Sequence, residues 1–211
     1  MSGFSRRSIL AGIGIGGTLA SCSGLRAAAG QGHATQLARL VEGPVWVRGE
    51  PGYETARAAV WTANVPARHP ALIVRVASVD DVIAAVRYAR ANGLRVAVRG
   101  GGHNWSAASL REGALMIDLG GLSGLAIDPA SQTARVEPGV SGGALFAAAG
   151  AAGLTFPIAH CPSVPMSGFL LNGGYGFNAG DWGPSALLIE AMDIVTAEGR
   201  LVRASERENA D

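Results

Sequence analysis

The chain has 211 residues, of which 48% are hydrophobic and 16% charged, and its formal net charge is +1. This apolar fraction excludes a disordered tail, and the near-zero charge gives no electrostatic reason to expect a nucleic-acid partner. All 17 basic residues are arginines, which excludes a Walker A phosphate loop, a Schiff-base enzyme and a lysine general base.

Residues 1–30 predict an export signal. Arg6 and Arg7 precede an apolar run that is too short to span a bilayer, and the segment SRRSIL resembles a twin-arginine signal. The residues before Cys22 also resemble a lipobox, in which Cys22 is lipidated and tethers the chain to a membrane. Ordinary cleavage near residues 27–29 is the alternative. We therefore expect an exported protein that is periplasmic, secreted or lipid-anchored.

The next segments predict a helix-containing unit with parallel strands. Residues 31–65 are expected to form a helical lead-in, and the apolar, β-branched run at 71–76 predicts a strand. Ser78 and Asp81 fit a capping box that begins a helix, and residues 95–99 predict a second strand. Strand, helix and strand in this order indicate a βαβ unit with parallel pairing and a right-handed crossover.

Shorter elements follow, separated by glycine and proline. The sequence predicts strands at 114–118, 125–128 and 133–137, an alanine-rich helix at 142–150 opened by Ser141, and a hairpin of 190–196 with 201–203. One parallel crossover with several antiparallel strands indicates an α+β fold.

The predicted second strand leads directly into the heptapeptide RGGGHNW, residues 99–105. Glycines can take positive φ, and their successive N–H groups can converge on an anion such as a pyrophosphate. A flexible turn is the alternative. The glycine spacing differs from the Rossmann fingerprint and no helix pattern follows it, so a nicotinamide site is disfavoured.

Two further side chains have open interpretations. His103 is a structural side chain, a metal ligand or a nucleophile towards an electrophilic cofactor carbon. A metal is disfavoured because no glutamate or second histidine stands at ligand spacing. Cys161, between His160 and Pro162, is either an inert buried thiol or a cofactor attachment point.

The heptapeptide after a βαβ pattern resembles the flavin-attachment loop of FAD-dependent oxidoreductases of the vanillyl-alcohol oxidase superfamily, nearest to the berberine bridge enzyme-like family. Four segments resemble that family in collinear order, at residues 69–105, 114–140, 160–176 and 194–202. The resemblance covers residues 66–211. It implies an FAD-binding PCMH-type fold, with a βαβ-containing subdomain and a mixed or antiparallel subdomain.

The resemblance also implies how FAD is held. His103 would bond the 8α-methyl of the isoalloxazine, and Cys161 would form a second bond at carbon 6. The remaining positions that it assigns to the cofactor are Arg99, Gly100, Gly101, Gly102, Asn104, Val164, Gly168, Gly174 and Val195. Of these, the three consecutive glycines would cradle the pyrophosphate.

The chain departs from the family pattern near the second attachment point. Pro165 stands where the family usually has glycine, and Asn172 replaces the first glycine of a triplet. Residues 186–188 read Ala-Leu-Leu where an acidic or amide residue is common. These departures bear on the second bond more than on the first, so whether one or two bonds form stays open.

Resembling proteins continue into a substrate domain that supplies the catalytic base. We therefore expect this chain to be incomplete at its C-terminus and name no catalytic residue. One hypothesis is an oxidoreductase that passes hydride from an alcohol, sugar or amine carbon of a small molecule to FAD, with oxygen as acceptor. The alternatives are a truncated flavin-binding fragment without turnover and a surface lipoprotein that binds no flavin.

Overall fold

The computed structural model describes residues 31–210, and the predicted export signal lies outside the described residues. Residues 31–38 are helical (α1) and are followed by strand β1 (Val45–Val47) and helix α2 (Tyr53–Ala58). The prediction of a helical lead-in is therefore wrong at residues 45–47, which form β1 and pair antiparallel with the next strand along the chain. The reason is local composition, because a Val-Trp-Val triplet has the β-branched and aromatic side chains that strands favour.

Three further strands complete the first sheet. They are β2 (Leu72–Arg75), β3 (Val96–Arg99) and β4 (Leu115–Asp118), and helix α3 (Val79–Ala91) connects β2 to β3. The order is β1-β2-β4-β3, with β4 parallel to both neighbours. The predicted strand–helix–strand order is confirmed, but β2 and β3 are not paired, because β4 lies between them. All four β4 residues are buried, as expected of a central strand.

Both faces of this sheet are covered. Leu72 and Val74 pack in a cluster that includes residues of α1 and α3. Ile73, which points to the opposite face, packs with Tyr53 of α2 and Met116 of β4. Since successive strand residues face opposite sides, burial of both faces explains why the first three residues of β2 are all apolar.

Only half of the predicted capping box forms at the start of α3. Ser78 Oγ accepts a 3.2 Å hydrogen bond from the Asp81 backbone N–H, as expected. The Asp81 carboxylate, however, accepts the backbone N–H groups of Glu42, Gly43 and Ala77 at 2.8, 3.0 and 2.8 Å. Asp81 is 2% exposed, so this carboxylate ties the lead-in to the helix instead of closing the box.

The second half of the described chain contains short helices and two antiparallel hairpins. The sequence predicts the strands of both hairpins and the helix that begins after Ser141, whereas the helices at 166–171 and 179–182 are not predicted. The bounds are β5 (Leu125–Asp128), β6 (Thr133–Val136), α4 (Gly142–Ala151), α5 (Met166–Leu171), α6 (Ala179–Trp182), β7 (Ala191–Val195) and β8 (Leu201–Ser205). The mixture of parallel and antiparallel pairing with helices confirms the α+β class. Across residues 31–210, no helix combines the length and the apolarity needed to cross a membrane.

Replacing Asp81 with alanine should lower the free energy of unfolding by about 2–4 kcal/mol, because buried N–H groups lose their acceptor. Urea denaturation followed by circular dichroism measures the change. Asp80→Ala is the matched control, since Asp80 is the exposed neighbour in the same helical turn. Equal stability of the two variants would show that the Asp81 bonds contribute nothing.

Candidate functional site

The carboxyl ends of the three parallel strands bring three charged residues together. Arg75 ends β2, Arg99 ends β3, and the strand register places Asp118 of β4 opposite both. Asp118 Oδ2 accepts a 2.8 Å hydrogen bond from the Arg99 guanidinium and lies 3.7 Å from Arg75 Nε. Two cations thus flank one anion, so the cluster has a net positive charge. It lies at the carboxyl ends of the parallel strands, which is where ligands bind in open α/β sheets.

The two arginines have different surroundings. Arg99 is 3% exposed, and its second guanidinium nitrogen donates to the Ala56 carbonyl at 2.7 Å. The resemblance assigns Arg99 to the cofactor, but its side chain is engaged inside the protein and fixes the strand end. The Arg75 side chain is 53% exposed, so Arg75 is the cation that a ligand at this edge can reach.

Residues 100–102, which we call the glycine loop, follow Arg99 directly. A Cβ atom on Gly100 would lie 2.5 Å from Ser167 Oγ, and one on Gly101 would overlap the Pro165 ring. These two glycines are therefore needed because a second segment of the chain packs against the loop. The prediction that positive φ explains the glycines is wrong for both of them.

Gly102 is the member of the glycine loop that has positive φ, at 73°. Its carbonyl accepts a 3.0 Å hydrogen bond from the Trp61 backbone. Within residues 31–210, the backbone N–H groups of the glycine loop donate to no protein acceptor. Unpaired N–H groups beside an exposed guanidinium are an arrangement that suits an anion.

The glycine loop borders a cleft of about 250 Å³. The lining residues are Ala59, Arg75, Arg99, Gly100, Gly101, Asp118, Gly120, Gly139, Ser163 and Pro165. The cleft therefore joins the charged strand ends to a segment sixty residues further along the chain. Four of its lining residues are glycines, which leave the backbone accessible to a ligand.

Residues 160–165, which we call the cysteine loop, are fixed by the start of α4. The Gly142 and Gly143 N–H groups donate to the Val164 and Pro162 carbonyls at 2.9 and 2.8 Å. The Val164 N–H donates in turn to the Cys161 carbonyl at 3.2 Å. Because the first N–H groups of a helix lack partners within the helix, α4 uses them to hold this loop in place.

The two loops bring His103 and Cys161 to one hydroxyl group. Ser163 Oγ lies 3.1 Å from His103 Nε2 and 3.1 Å from Cys161 Sγ. The Ser163 side chain, together with a backbone hydrogen bond at Ser163, lowers the pKa of the Cys161 thiol below its ordinary value. Cys161 is exposed, so the alternative of an inert buried thiol is wrong.

Two tryptophans lie beside His103. The Trp61 ring stacks on the imidazole, with centroids 6.0 Å apart and an interplanar angle of 26°. Trp105 packs edge-on against Trp61 at 4.5 Å. The imidazole is therefore restrained on one face by Trp61 and at Nε2 by Ser163. His160, in contrast, packs on Phe177 with centroids 3.6 Å apart.

Three other residues that the resemblance assigns to the cofactor lie at the glycine loop or the cysteine loop. Asn104 Oδ1 accepts the N–H groups of Ser106 and Ala108 at 3.1 and 3.2 Å, so its side chain shapes the turn that follows His103. Val164 acts through its backbone in the cysteine loop. The Gly168 nitrogen lies 3.8 Å from the position of a Cβ on Gly100, which places it at the glycine loop.

Gly174 and Val195 have other partners. Gly174 is buried with φ 70°, and its carbonyl accepts the Ser185 N–H at 2.9 Å. Val195 ends β7 and is paired with Leu201. The contacts described for these two residues lie in the second half of the chain, and their role towards a cofactor stays a prediction.

The departures from the family pattern are accommodated locally. Pro165 is buried and bridged to Ser141, and its ring occupies the space beside Gly101. Asn172 follows α5 and donates through Nδ2 to the Gly168 carbonyl at 2.7 Å. Each substitution thus has a structural partner, and neither separates the cysteine loop from the glycine loop.

Sequence reasoning missed Arg75, Asp118, Trp61 and Ser163. The first two were detectable, because each is a charged residue that ends an apolar parallel strand. Trp61 and Ser163 give no local signal. Their importance depends on contacts with His103, which lies 42 and 60 positions away.

Comparisons with known proteins show which family the chain resembles. Residues 70–205 match a family described as "FAD binding domain". The (R)-6-hydroxynicotine oxidase of Paenarthrobacter nicotinovorans is 34% identical over 171 residues, which cover 81% of this chain and 37% of that protein. The xylooligosaccharide oxidase of Thermothelomyces thermophilus is 34% identical over 145 residues, or 67% of this chain and 29% of that protein.

A solved structure is also similar. The wild-type BBE-like 1 protein of Physcomitrella patens superposes with a TM-score of 0.78 at 30% identity, over 83% of this chain and 38% of that one. The chain therefore spans about a third of the length of the curated relatives it matches.

Gly101→Ala should lower the free energy of unfolding by about 1–3 kcal/mol, because the new methyl group overlaps the Pro165 ring. Gly150→Ala is the matched control, since Gly150 lies in α4 with open space around it. Combining Gly101→Ala with Pro165→Ala should cost less than the sum of the single changes. Strict additivity in urea denaturation would contradict the proposed contact.

Proposed function

This chain belongs to the FAD-binding domain family, and we propose that it is the flavin-holding part of an FAD-dependent oxidoreductase. The implied α+β, PCMH-type FAD-binding fold is confirmed by the family match and by the TM-score of 0.78 to the BBE-like protein. We take residues 66–211 as the FAD-binding domain. The activity and the covalent attachment of the cofactor are proposals.

The diphosphate of FAD fits the cleft at the glycine loop. Three consecutive backbone N–H groups without protein acceptors supply neutral donors there, and Arg75 supplies an exposed positive charge. A Cβ atom on either Gly100 or Gly101 would collide with the neighbouring segment. Both positions therefore have no side chain, and a ligand in the cleft can contact the backbone N–H groups directly. These donors suit a doubly charged, oxygen-rich group.

The meeting of His103 and Cys161 at one hydroxyl is the observation on which covalent attachment rests. Both nucleophiles lie 3.1 Å from Ser163 Oγ, close enough together to reach two positions on one flavin ring. The imidazole is held by Trp61, and Cys161 has a lowered thiol pKa. We infer that His103 forms one bond to the flavin and Cys161 a second, as the family resemblance implies.

When bound, FAD accepts a hydride from the substrate, and oxygen then takes up the electrons. The substrate class we propose is a small molecule with an oxidisable alcohol, sugar or amine carbon. Relatives named as a nicotine oxidase and a xylooligosaccharide oxidase support the amine and sugar options. The role of this chain is to bind the diphosphate, hold the ring rigidly and raise its oxidising power through two electron-withdrawing bonds.

Mass spectrometry of the intact, denatured chain should detect one covalently bound FAD. His103→Ala and Cys161→Ala should each retain an adduct through the remaining bond, and the double variant should lose it completely. His160→Ala is the matched control, because His160 adjoins Cys161 in sequence but packs on Phe177. This control should keep both bonds.

An adduct that persists in the double variant would refute the assignment of the two attachment residues. A folded preparation without any flavin would refute the proposed function. Flavin that is bound but never reduced by sugars, alcohols or amines would instead indicate a binding module without turnover.

We also infer that the chain is exported through its twin-arginine-like segment. Changing Arg6 and Arg7 together to lysine should retain the chain in the cytoplasm, since this pathway reads the arginine pair. Arg26→Lys is a matched control with unchanged export. Cell fractionation and immunoblotting measure where both variants are located. Cys22→Ser tests the lipid tether, because loss of the lipidated cysteine should release the chain from membranes. Unchanged export of the twin-lysine variant would contradict the inference.

A further inference from the structure

Ser163 connects the two flavin-attachment residues. Its hydroxyl is 3.1 Å from the imidazole Nε2 of His103 and 3.1 Å from the Sγ atom of Cys161. A hydroxyl can donate one hydrogen bond while it accepts another. Ser163 can therefore hydrogen bond to both groups at the same time.

We propose that Ser163 is a positioning residue that passes a proton from the Cys161 thiol to the His103 imidazole and thereby prepares the thiolate. The inference rests on the proposed function in one respect only, namely that the thiolate is used to form the bond to flavin. The proton transfer itself is a property of the chain without cofactor.

The transfer is balanced within the three residues. The S–H bond of Cys161 breaks and its proton moves to Ser163 Oγ. The proton that Ser163 already carried moves to His103 Nε2. Cysteine becomes a thiolate, histidine becomes an imidazolium and serine is unchanged. His103 can itself bond the flavin only after this proton has left the ring, because an imidazolium has no free nitrogen lone pair. No oxidant or other reactant is needed, and the thiolate is the form of cysteine that acts as a nucleophile.

The backbone position of Ser163 is set by helix α4 and does not depend on the side chain of either attachment residue. Its two sequence neighbours, Pro162 and Val164, accept hydrogen bonds from the first N–H groups of α4 at 2.8 and 2.9 Å. The backbone on both sides of Ser163 is thus fixed. Trp61 restrains the His103 ring independently, so the three groups are aligned before any ligand binds.

The other charged groups near the cysteine loop are less suited to receive the proton. Arg75, Arg99 and Asp118 line the cleft with Ser163, but the two arginines have no acceptor and Asp118 is engaged by Arg99 and the Gly120 N–H. His160 packs on Phe177. His103 is the base that the Ser163 hydroxyl contacts.

The test measures the reactivity of the Cys161 thiol against pH in the full chain. A Cys22→Ser background leaves one cysteine, and expression in riboflavin-starved cells leaves that thiol free. Iodoacetamide modification, followed by mass spectrometry, gives the titration midpoint. The variants are Ser163→Thr and Ser163→Val, which have the same shape and differ in the hydroxyl, together with Ser163→Ala and His103→Gln.

Loss of the hydroxyl should raise the midpoint by about one pH unit, which means about tenfold less thiolate at any pH well below the parent midpoint. Ser163→Val and Ser163→Ala should show this rise, and Ser163→Thr should stay near the parent value. His103→Gln should also raise the midpoint, because the proton loses its acceptor. Thermal unfolding checks that each variant is folded.

Equal midpoints for the threonine and valine variants would overturn the proposal, as would an unchanged midpoint in His103→Gln. The proposed function is tested separately in flavin-replete cells. There, Ser163→Val should keep the bond to His103 and form the bond to Cys161 more slowly. A shifted midpoint in a chain that binds no flavin at all would support the proton transfer while refuting the proposed function.

Discussion

The whole site depends on how closely the glycine loop and the cysteine loop can approach each other. Gly101 has no side chain, and the Pro165 ring occupies the space where its Cβ would be. This contact brings His103 within reach of Ser163, although the two residues are 60 positions apart. A larger residue on either side would separate the loops and remove the alignment of imidazole, hydroxyl and thiol. Packing, and not hydrogen bonding alone, therefore defines the chemistry of the site.

The glycine loop also needs a rigid base, and a buried ion pair provides it. Arg99 and Asp118 are 3% and 5% exposed. Such a pair is stable only when its remaining donors and acceptors are satisfied. Here the Ala56 carbonyl and the Gly120 N–H complete the arrangement. The strand end immediately before the loop is therefore fixed in position, whereas the neighbouring Arg75 is left exposed to meet a ligand.

The sequence predicted most of the elements but little of their arrangement. Hydrophobic period and capping residues located β2, α3 and α4, because these signals are local. The position of β4 between β2 and β3 depends on burial of all its residues from both sides, which no short window reveals. The same limit applies to the site. The heptapeptide identified His103, and the resemblance identified Cys161, but Ser163 is important only through contacts that the folded chain creates. Asp81 is a further example of this limit. The sequence predicts its capping motif, but its long-range partners, the backbone N–H groups of Glu42 and Gly43, lie 39 and 38 positions earlier.

The central place of β4 also affects the order in which the polypeptide can fold. Residues 72–75 and 96–99 leave the ribosome before residues 115–118, yet both earlier strands pair with the later one. Until that third segment emerges, two apolar strands have no partner on their inner edges and are exposed to aggregation. The nascent chain is therefore most prone to edge-to-edge aggregation over this interval of synthesis, which ends once β4 closes the gap.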